Sequence, residues 1–257
     1  LLSLSQNDAL LSLLRRDDAL VRASESQTTT CVFVHGAGNS AESDANVGSA
    51  TSEDRAYWGN LHEVIAPFCG TLSFMHEDTL HVGWEDTGLQ QKFCELLREA
   101  TSGSTDDQGS TQLLLFAHSL GNMLVAGALD SGQCQLPFGS VWFAVGAPWA
   151  GSKAADKLPD LCAALQGGLG SPLIASLASR VHFCDGADGA PSAGFASLAT
   201  GNARLHAVAR RWRGRVNASL CGDSPFGLWA SEGGGADSYE LEALSELVQF
   251  GETNDGA

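Results

Sequence analysis

A continuous apolar segment in the middle of the chain constrains the fold more than any other feature. Residues 112–117 read Gln-Leu-Leu-Leu-Phe-Ala, which is typical of a central strand in a parallel sheet. The segment runs into a short turn and then into residues 121–129, whose apolar and small residues predict a helix. A strand that feeds directly into a helix indicates an α/β architecture.

The same alternation recurs along the chain. Further strands are predicted at 31–34, 70–75, 140–145 and 215–221, with a weak one at 181–184. Helices are predicted at 1–22, 57–67 and 86–100, and exposed loops at 40–56 and 101–110. These segments predict a mostly parallel central sheet with helices on both faces.

The length of 257 residues and the apolar fraction of 44% suit a single large domain. Residues 150–213 interrupt the alternation, and we interpret them as a helical cap inserted into a core formed by 31–149 and 214–257. Fourteen Lys and Arg against 30 Asp and Glu give a net charge of −16, which argues against nucleic acid or an anionic membrane as the partner. No apolar run approaches the ~18–20 residues of a transmembrane helix.

The chain has seven cysteines and no CxxC pair, so a zinc site is not expected, and neither another metal nor a cofactor is predicted. This number of cysteines favours disulfides and a secreted or secretory-lumen location. Asn217-Ala218-Ser219 is an N-glycosylation sequon, a short pattern that also occurs by chance.

The turn after the central strand reads Ala117-His118-Ser119-Leu120-Gly121. In this strand–turn–helix context it matches the nucleophile elbow G-x-S-x-G, with Ala in place of the first Gly. The bend is sharp, so small residues are needed on both sides of the serine, whose hydroxyl is raised at a helix N-terminus. We expect Ser119 to be a nucleophile; the alternative is an ordinary turn with an idle serine.

A second glycine-rich turn, His35-Gly36-Ala37-Gly38, follows the early strand. Hydrolases of this architecture place such a loop beside the nucleophile, where backbone N–H groups face the substrate. We expect the amides of Ala37 and Leu120 to form an oxyanion hole. We expect His35 to be a structural histidine of the loop and not a base.

The acid and the base are less well defined. The expected chain order is Ser, then Asp or Glu, then His. Asp255 lies beyond the strand at 215–221, where the acid belongs, while Asp185, Asp188 and a solvated loop remain alternatives. No histidine follows His206, which we expect to be structural because it lies in a helical segment before the last strand. The base therefore lies outside this sequence or the chain is catalytically silent.

Several stretches together resemble a lipase-like branch of the α/β-hydrolases found in oomycetes and trypanosomatids. They are His35 to Asn39, Tyr57-Trp58-Gly59, Asp78-Thr79 with Gly83-Trp84, Ala117 to Asn122, Ala147-Pro148 with Gly151-Ser152, Cys221 with Ser224 to Gly227, and Asn254-Asp255-Gly256. The resemblance implies an α/β-hydrolase fold, Ser119 as nucleophile and Asp255 as acid. It also implies secretion, disulfides, and a histidine downstream of residue 256 in a segment that holds a further cysteine, so that the C-terminal part of the fold lies outside this sequence.

These observations favour a serine hydrolase of carboxylic esters, with an ester or lipid as substrate and with Leu173, Ile174, Leu177 and Phe195 of the cap suited to an acyl chain. A catalytically silent protein that serves as a binding or structural subunit is the alternative. A third hypothesis places the base on a separate C-terminal chain that remains bound as a partner.

Overall fold

The computed structural model describes residues 29–39, 46–47, 50–102, 112–169, 175–176, 178–179 and 182–221. This part of the chain forms a six-stranded sheet in the order β2-β3-β1-β4-β5-β6. Its strands are β1 (Thr29–Val34), β2 (Asn46–Val47), β3 (Thr71–Phe74), β4 (Gln112–His118), β5 (Val141–Val145) and β6 (Ala218–Leu220). Neighbouring strands run parallel except for the short β2, which pairs antiparallel with β3.

The central strand β4 is buried on both faces, as its apolar sequence predicts. Its alternate residues enter two separate hydrophobic cores, Leu113, Leu115 and Ala117 on one face and Leu114 and Phe116 on the other. The register pairs Val34 of β1 with Ala117 of β4, so both strands end side by side at the carboxyl edge of the sheet.

Helices cover both faces of the sheet. They are α1 (Ser52–Trp58), α2 (Leu61–Ile65), α3 (Thr87–Ser102), α4 (Leu120–Asp130), α5 (Lys153–Gln166), α6 (Ala193–Ala196) and α7 (Ala203–Trp212), with 3₁₀ turns at Ala66–Phe68, Ala187–Gly189 and Arg213–Arg215. Residues of α3, α4 and α7 fill one core, and residues of α1 and α2 fill the other. The predicted sheet with helices on both faces is confirmed. In the described part of the span 150–213, α5, α6 and α7 are helices, but α7 packs within the main core.

Two local predictions are wrong. Residues 52–56, expected in an exposed loop, form the start of α1 because Thr51 and Asp54 make a capping box: the Thr51 hydroxyl accepts from the Asp54 amide, and the Asp54 carboxylate accepts from the Thr51 amide. The weak strand expected at 181–184 is absent, since residues 182–184 form a turn.

Three disulfides cross-link the domain and confirm the prediction of disulfide bonding. They join Cys31 to Cys69, Cys94 to Cys134, and Cys162 to Cys184. Cys221, just after β6, is exposed and free.

The helix predicted within residues 1–22 and the loop residues 103–110 lie outside the described residues, as does everything after Cys221. None of the helices in the described ranges is long and apolar enough to cross a bilayer.

Candidate active site

Ser119 lies on a tight bend between β4 and α4. Its φ and ψ are 48° and −123°, and a positive φ is uncommon for a residue other than glycine. Such a conformation costs about 1–3 kcal/mol and persists only where the surroundings enforce it. The Ser119 amide donates to the Val145 carbonyl at 2.9 Å, and the residue is only partly buried. The bend predicted from the sequence is therefore present at the carboxyl edge of the central strand.

Two glycines allow the backbone to pass close to this bend. A Cβ added to Gly121 would lie 2.6 Å from the carbonyl oxygens of both Val34 and His35. A Cβ added to Gly36 would lie 2.9 Å from the Cβ of Ser119. Both distances are below normal contact, so a side chain is excluded at each position, and the loop after β1 rests directly against the serine.

Asn122 fixes the bend from inside. Its Nδ2 donates to the carbonyl of Ala117 at 2.8 Å and to those of Ser119 and Val145 at 3.3 Å, while its Oδ1 accepts from Trp142 Nε1 at 3.2 Å. Asn122 belongs to the stretch Ala117 to Asn122 that carries the resemblance, but no role was predicted for it from the sequence. The signal was present, because Asn122 is the single polar residue between Leu120 and Leu129.

The loop after β1 is held by polar contacts to the segment after β3. The Thr79 hydroxyl donates to the Gly36 carbonyl at 2.7 Å, and the Asn39 carbonyl accepts from the Thr79 amide at 2.8 Å. His35 Nε2 accepts from the Glu77 amide at 3.3 Å, so its Nδ1 carries the proton and donates to the Gly36 carbonyl at 2.9 Å. These contacts agree with the prediction that His35 is a structural histidine.

Tyr57 joins the loop to the nucleophile segment. Its hydroxyl oxygen lies 2.5 Å from the Gly36 nitrogen and 2.5 Å from His118 Nδ1. Burial raises the pKa of Tyr57, and burial, with His35 nearby, lowers the pKa of His118 to about 4. Both groups are therefore neutral at pH 7. The phenol accepts from Gly36 and donates to Nδ1, which leaves the His118 proton on Nε2.

One amide of the loop has no partner within the described residues. The Gly36 amide donates to Tyr57, the Gly38 amide to the Thr79 carbonyl, and the Asn39 amide to the Thr79 hydroxyl. The Ala37 amide makes no such bond there, and Leu120 is the first residue of α4, where amides lack intrahelical acceptors. Within the described ranges, neither of the two amides predicted to form an oxyanion hole makes a hydrogen bond; that they bind an oxyanion stays a prediction.

The described residues do not bring an acid and a base together around Ser119. Asp255 lies outside the described residues. Its rival Asp185 forms an exposed ion pair with His182 at 2.6 Å, and the other rival, Asp188, is exposed. His206 Nε2 donates to the Thr200 carbonyl at 2.6 Å, which agrees with a structural role. No histidine of the described ranges hydrogen-bonds the Ser119 hydroxyl.

A cavity of about 390 Å³ borders the loop. Its wall includes Ala37, Tyr57, Met75 and Phe195, and a Cβ added to Gly38 would lie 3.2 Å from Phe195 Cζ. Phe195 is one of the four cap residues predicted to suit an acyl chain; the other three lie outside the described residues. Within the described ranges, no group of three His, Cys, Asp or Glu side chains could hold a metal ion.

Substituting Gly121 by Ala should destabilise the protein. The new Cβ would press on two backbone oxygens that cannot rotate away, and overpacking of this kind costs about 1–3 kcal/mol. Urea denaturation measures the change in the free energy of unfolding. Gly201→Ala is the matched control, because no atom lies within 4 Å of its added Cβ. Equal stability of both variants would contradict the close approach at the bend.

Stability should fall on acidification below pH 6.5. Burial lowers the pKa of both His35 and His118 from 6.5 to about 4, so between these values the unfolded chain binds more protons. Each histidine therefore removes about 2 kcal/mol from the free energy of unfolding between pH 7 and pH 5. Urea denaturation at pH 7 and at pH 5 gives the free energy of unfolding at each pH. In His118→Asn, the difference between these two free energies should be smaller than in the wild type by about 2 kcal/mol. An unchanged difference would show that His118 titrates normally in the folded protein.

No family model matches the chain, and no curated protein sequence matches it significantly. Several solved protein structures are similar to it. The mature form of lipase BlEst2 from Bacillus licheniformis is 17% identical with a TM-score of 0.52, over 89% of this chain and 76% of that one. Phospholipase PlaB from Legionella pneumophila, solved with thio-NAD, is 14% identical with a TM-score of 0.43, over 76% of this chain and 38% of that one. The parallel sheet and its likeness to the Bacillus lipase show that the chain has the α/β-hydrolase fold.

Proposed function

We propose that the protein is a serine hydrolase that cleaves carboxylic esters through an acyl-enzyme at Ser119. The strained backbone of Ser119 carries this proposal. A serine held at φ 48° between a buried strand and a helix, with a glycine loop packed against it, has the geometry of an exposed nucleophile. The Bacillus lipase among the similar structures supports ester hydrolysis.

In the proposed reaction the Ser119 hydroxyl loses its proton as its oxygen attacks the ester carbonyl carbon. The carbonyl oxygen of the resulting tetrahedral intermediate accepts hydrogen bonds from the amides of Ala37 and Leu120. Collapse expels the alcohol and leaves an acyl-serine, which water then hydrolyses. Each donor of an oxyanion hole typically contributes about 10²–10³-fold in rate.

A serine hydroxyl without a base is a weak nucleophile at neutral pH. In our proposal Asp255 orients a histidine that accepts the proton from Ser119 and passes it to the leaving alcohol. That histidine is supplied by a segment after the Asn254-Asp255-Gly256 motif or by a second chain that remains bound.

The substrate is an ester or lipid whose uncharged part contacts apolar side chains near the site. In our proposal this group contacts Met75 and Phe195, which line the cavity beside Ala37 together with the polar side chains of Glu53, Asp54 and His76. The protein acts outside the cell or in the secretory lumen, which its three disulfides support. Asn217 of the sequon is an exposed residue whose Oδ1 accepts from the Trp142 amide at 2.8 Å, and in our proposal its Nδ2 carries a glycan.

Ser119→Ala should abolish labelling by a fluorophosphonate probe, because the probe phosphonylates an activated serine hydroxyl. The intact protein as the cell produces it is incubated with the probe, and the modified peptide is identified by mass spectrometry. Ser140→Ala is the control; its hydroxyl donates to the Pro137 carbonyl at the opposite end of the sheet, so labelling should persist. If the intact wild-type protein carries no adduct at Ser119, the proposal is wrong.

Asp255→Asn should lower kcat by about 10⁴-fold, since an amide in place of the acid disturbs the orientation and charge balance of the triad histidine. Asp185→Asn tests the rival acid and should leave kcat unchanged, because Asp185 is already paired with His182. Hydrolysis of a p-nitrophenyl ester measures both rates. A large loss in Asp185→Asn with none in Asp255→Asn would reverse the assignment.

A catalytically silent binding or structural subunit is the second candidate. It is favoured by one observation: no histidine of the described ranges hydrogen-bonds Ser119. Mass spectrometry of the native protein discriminates between the two, because the hydrolase requires a further segment or a bound chain that contains a histidine. A native protein without either would favour the silent subunit.

A further inference from the structure

Three segments of the chain meet at the hydroxyl of Tyr57. The residue itself lies on α1, Gly36 lies in the loop after β1, and His118 is the last residue of β4, directly before Ser119. Its phenol oxygen lies 2.5 Å from both partner atoms, the Gly36 nitrogen and His118 Nδ1. One hydroxyl thus spans the gap between the loop and the nucleophile segment.

We infer that Tyr57 is a positioning residue, which sets the distance between the Ala37 and Leu120 amides by tying Gly36 to His118. The inference rests on the proposed function, because it concerns the oxyanion hole. Gly36 precedes Ala37, and His118 lies two residues before Leu120. A shift of either partner of Tyr57 therefore shifts one of the two amides relative to the other.

The close packing around the Tyr57 hydroxyl leaves little room for Gly36 or Tyr57 to take another position. A Cβ on Gly36 would lie 2.9 Å from the Tyr57 hydroxyl oxygen, 2.9 Å from Ser119 Cβ and 3.2 Å from His118 Nδ1. The Tyr57 ring is itself held edge-on against Trp58 and His118, with ring centroids 5.2 and 5.5 Å away. The hydroxyl is thus presented from a fixed ring.

The contacts of Thr79 hold the loop after β1 in place independently of Tyr57. The Thr79 hydroxyl holds the carbonyl of Gly36, whereas Tyr57 holds its amide. Removal of the Tyr57 hydroxyl therefore leaves the loop attached to the segment after β3 but releases it from β4. The Gly36 amide and His118 Nδ1 then lose their shared partner. An oxyanion forms only after attack, so the misplacement should affect turnover more than substrate binding.

Tyr57→Phe keeps the ring and removes only the hydroxyl. In the intact protein, with p-nitrophenyl butyrate as substrate, kcat should fall by about 10²-fold while KM changes by less than about threefold. Ser140→Ala, which removes a distant hydroxyl, should match the wild type. A kcat for Tyr57→Phe within twofold of the wild type would overturn the inference, as would a loss confined to KM.

Substitutions of His118 test the same link from the other side. Asn at this position can present an acceptor near the place of Nδ1, whereas Leu cannot. Turnover by His118→Asn should therefore exceed that by His118→Leu, and adding Tyr57→Phe to His118→Leu should cost little more, since both changes break the same link. Equal rates for the two single variants, or fully additive losses, would contradict a shared role.

A readout that needs no catalysis separates this inference from the proposed function. Tyr57→Phe should speed amide hydrogen exchange in the peptide that covers residues 35–39 by at least about tenfold, because the Gly36 amide loses its acceptor. If the wild type resists the fluorophosphonate but exchange accelerates in the variant, the proposed function fails while the link stands. Unchanged exchange shows that Tyr57 does not hold the loop.

Discussion

The close approach of two backbones at the carboxyl edge of the sheet is the constraint on which the rest of the site depends. The register places Val34 beside Ala117, so the turns that leave β1 and β4 pass within contact distance of each other. Gly121 accommodates the oxygens of one turn, and Gly36 accommodates the serine of the other. The geometry on which the chemistry proposed for Ser119 depends thus results from strand pairing. The pairing of β1 with β4 that buries the central strand also brings the glycine loop into contact with the serine.

The strain at Ser119 is offset by bonds that belong to the same few residues. A positive φ costs about 1–3 kcal/mol, and a net hydrogen bond contributes about 0.5–1.5 kcal/mol. The Ser119 amide bonds to Val145, and Asn122 reaches three carbonyls around the bend. Since Asn122 is fully buried, loss of its side chain would also leave the Trp142 indole N–H without its acceptor, Asn122 Oδ1. The bend is therefore held before any substrate arrives, which is the condition for electrostatic preorganisation.

The features predicted from the sequence are those encoded locally. The apolar run of β4 and the small residues of the bend can each be recognised within ten positions of sequence. The fold class follows from the alternation of strand and helix segments. The start of α1 was missed because Thr51 and Asp54 lie in a polar, acidic stretch that also suits a loop. Tyr57 belongs to one of the stretches that carry the resemblance, but its contacts could not be predicted, because its partners lie 21 and 61 residues away and only the folded sheet brings them together. The roles of Asp255 and of the oxyanion amides remain predictions, since no local pattern fixes what a loop contacts.

The protonation of the groups around Ser119 limits how it could be activated. His118 is adjacent in sequence, but its Nδ1 accepts from Tyr57 and its Nε2 carries the proton, so neither nitrogen is available as a base. Because the pKa of His118 and that of His35 are each about 4, neither side chain is charged at pH 7. Tyr57 remains a phenol because burial raises its pKa. These neighbours thus supply shape and dipoles, not proton transfer or charge. In the proposed reaction, backbone amides would therefore bind the oxyanion, and the serine proton would pass to a group other than these three side chains.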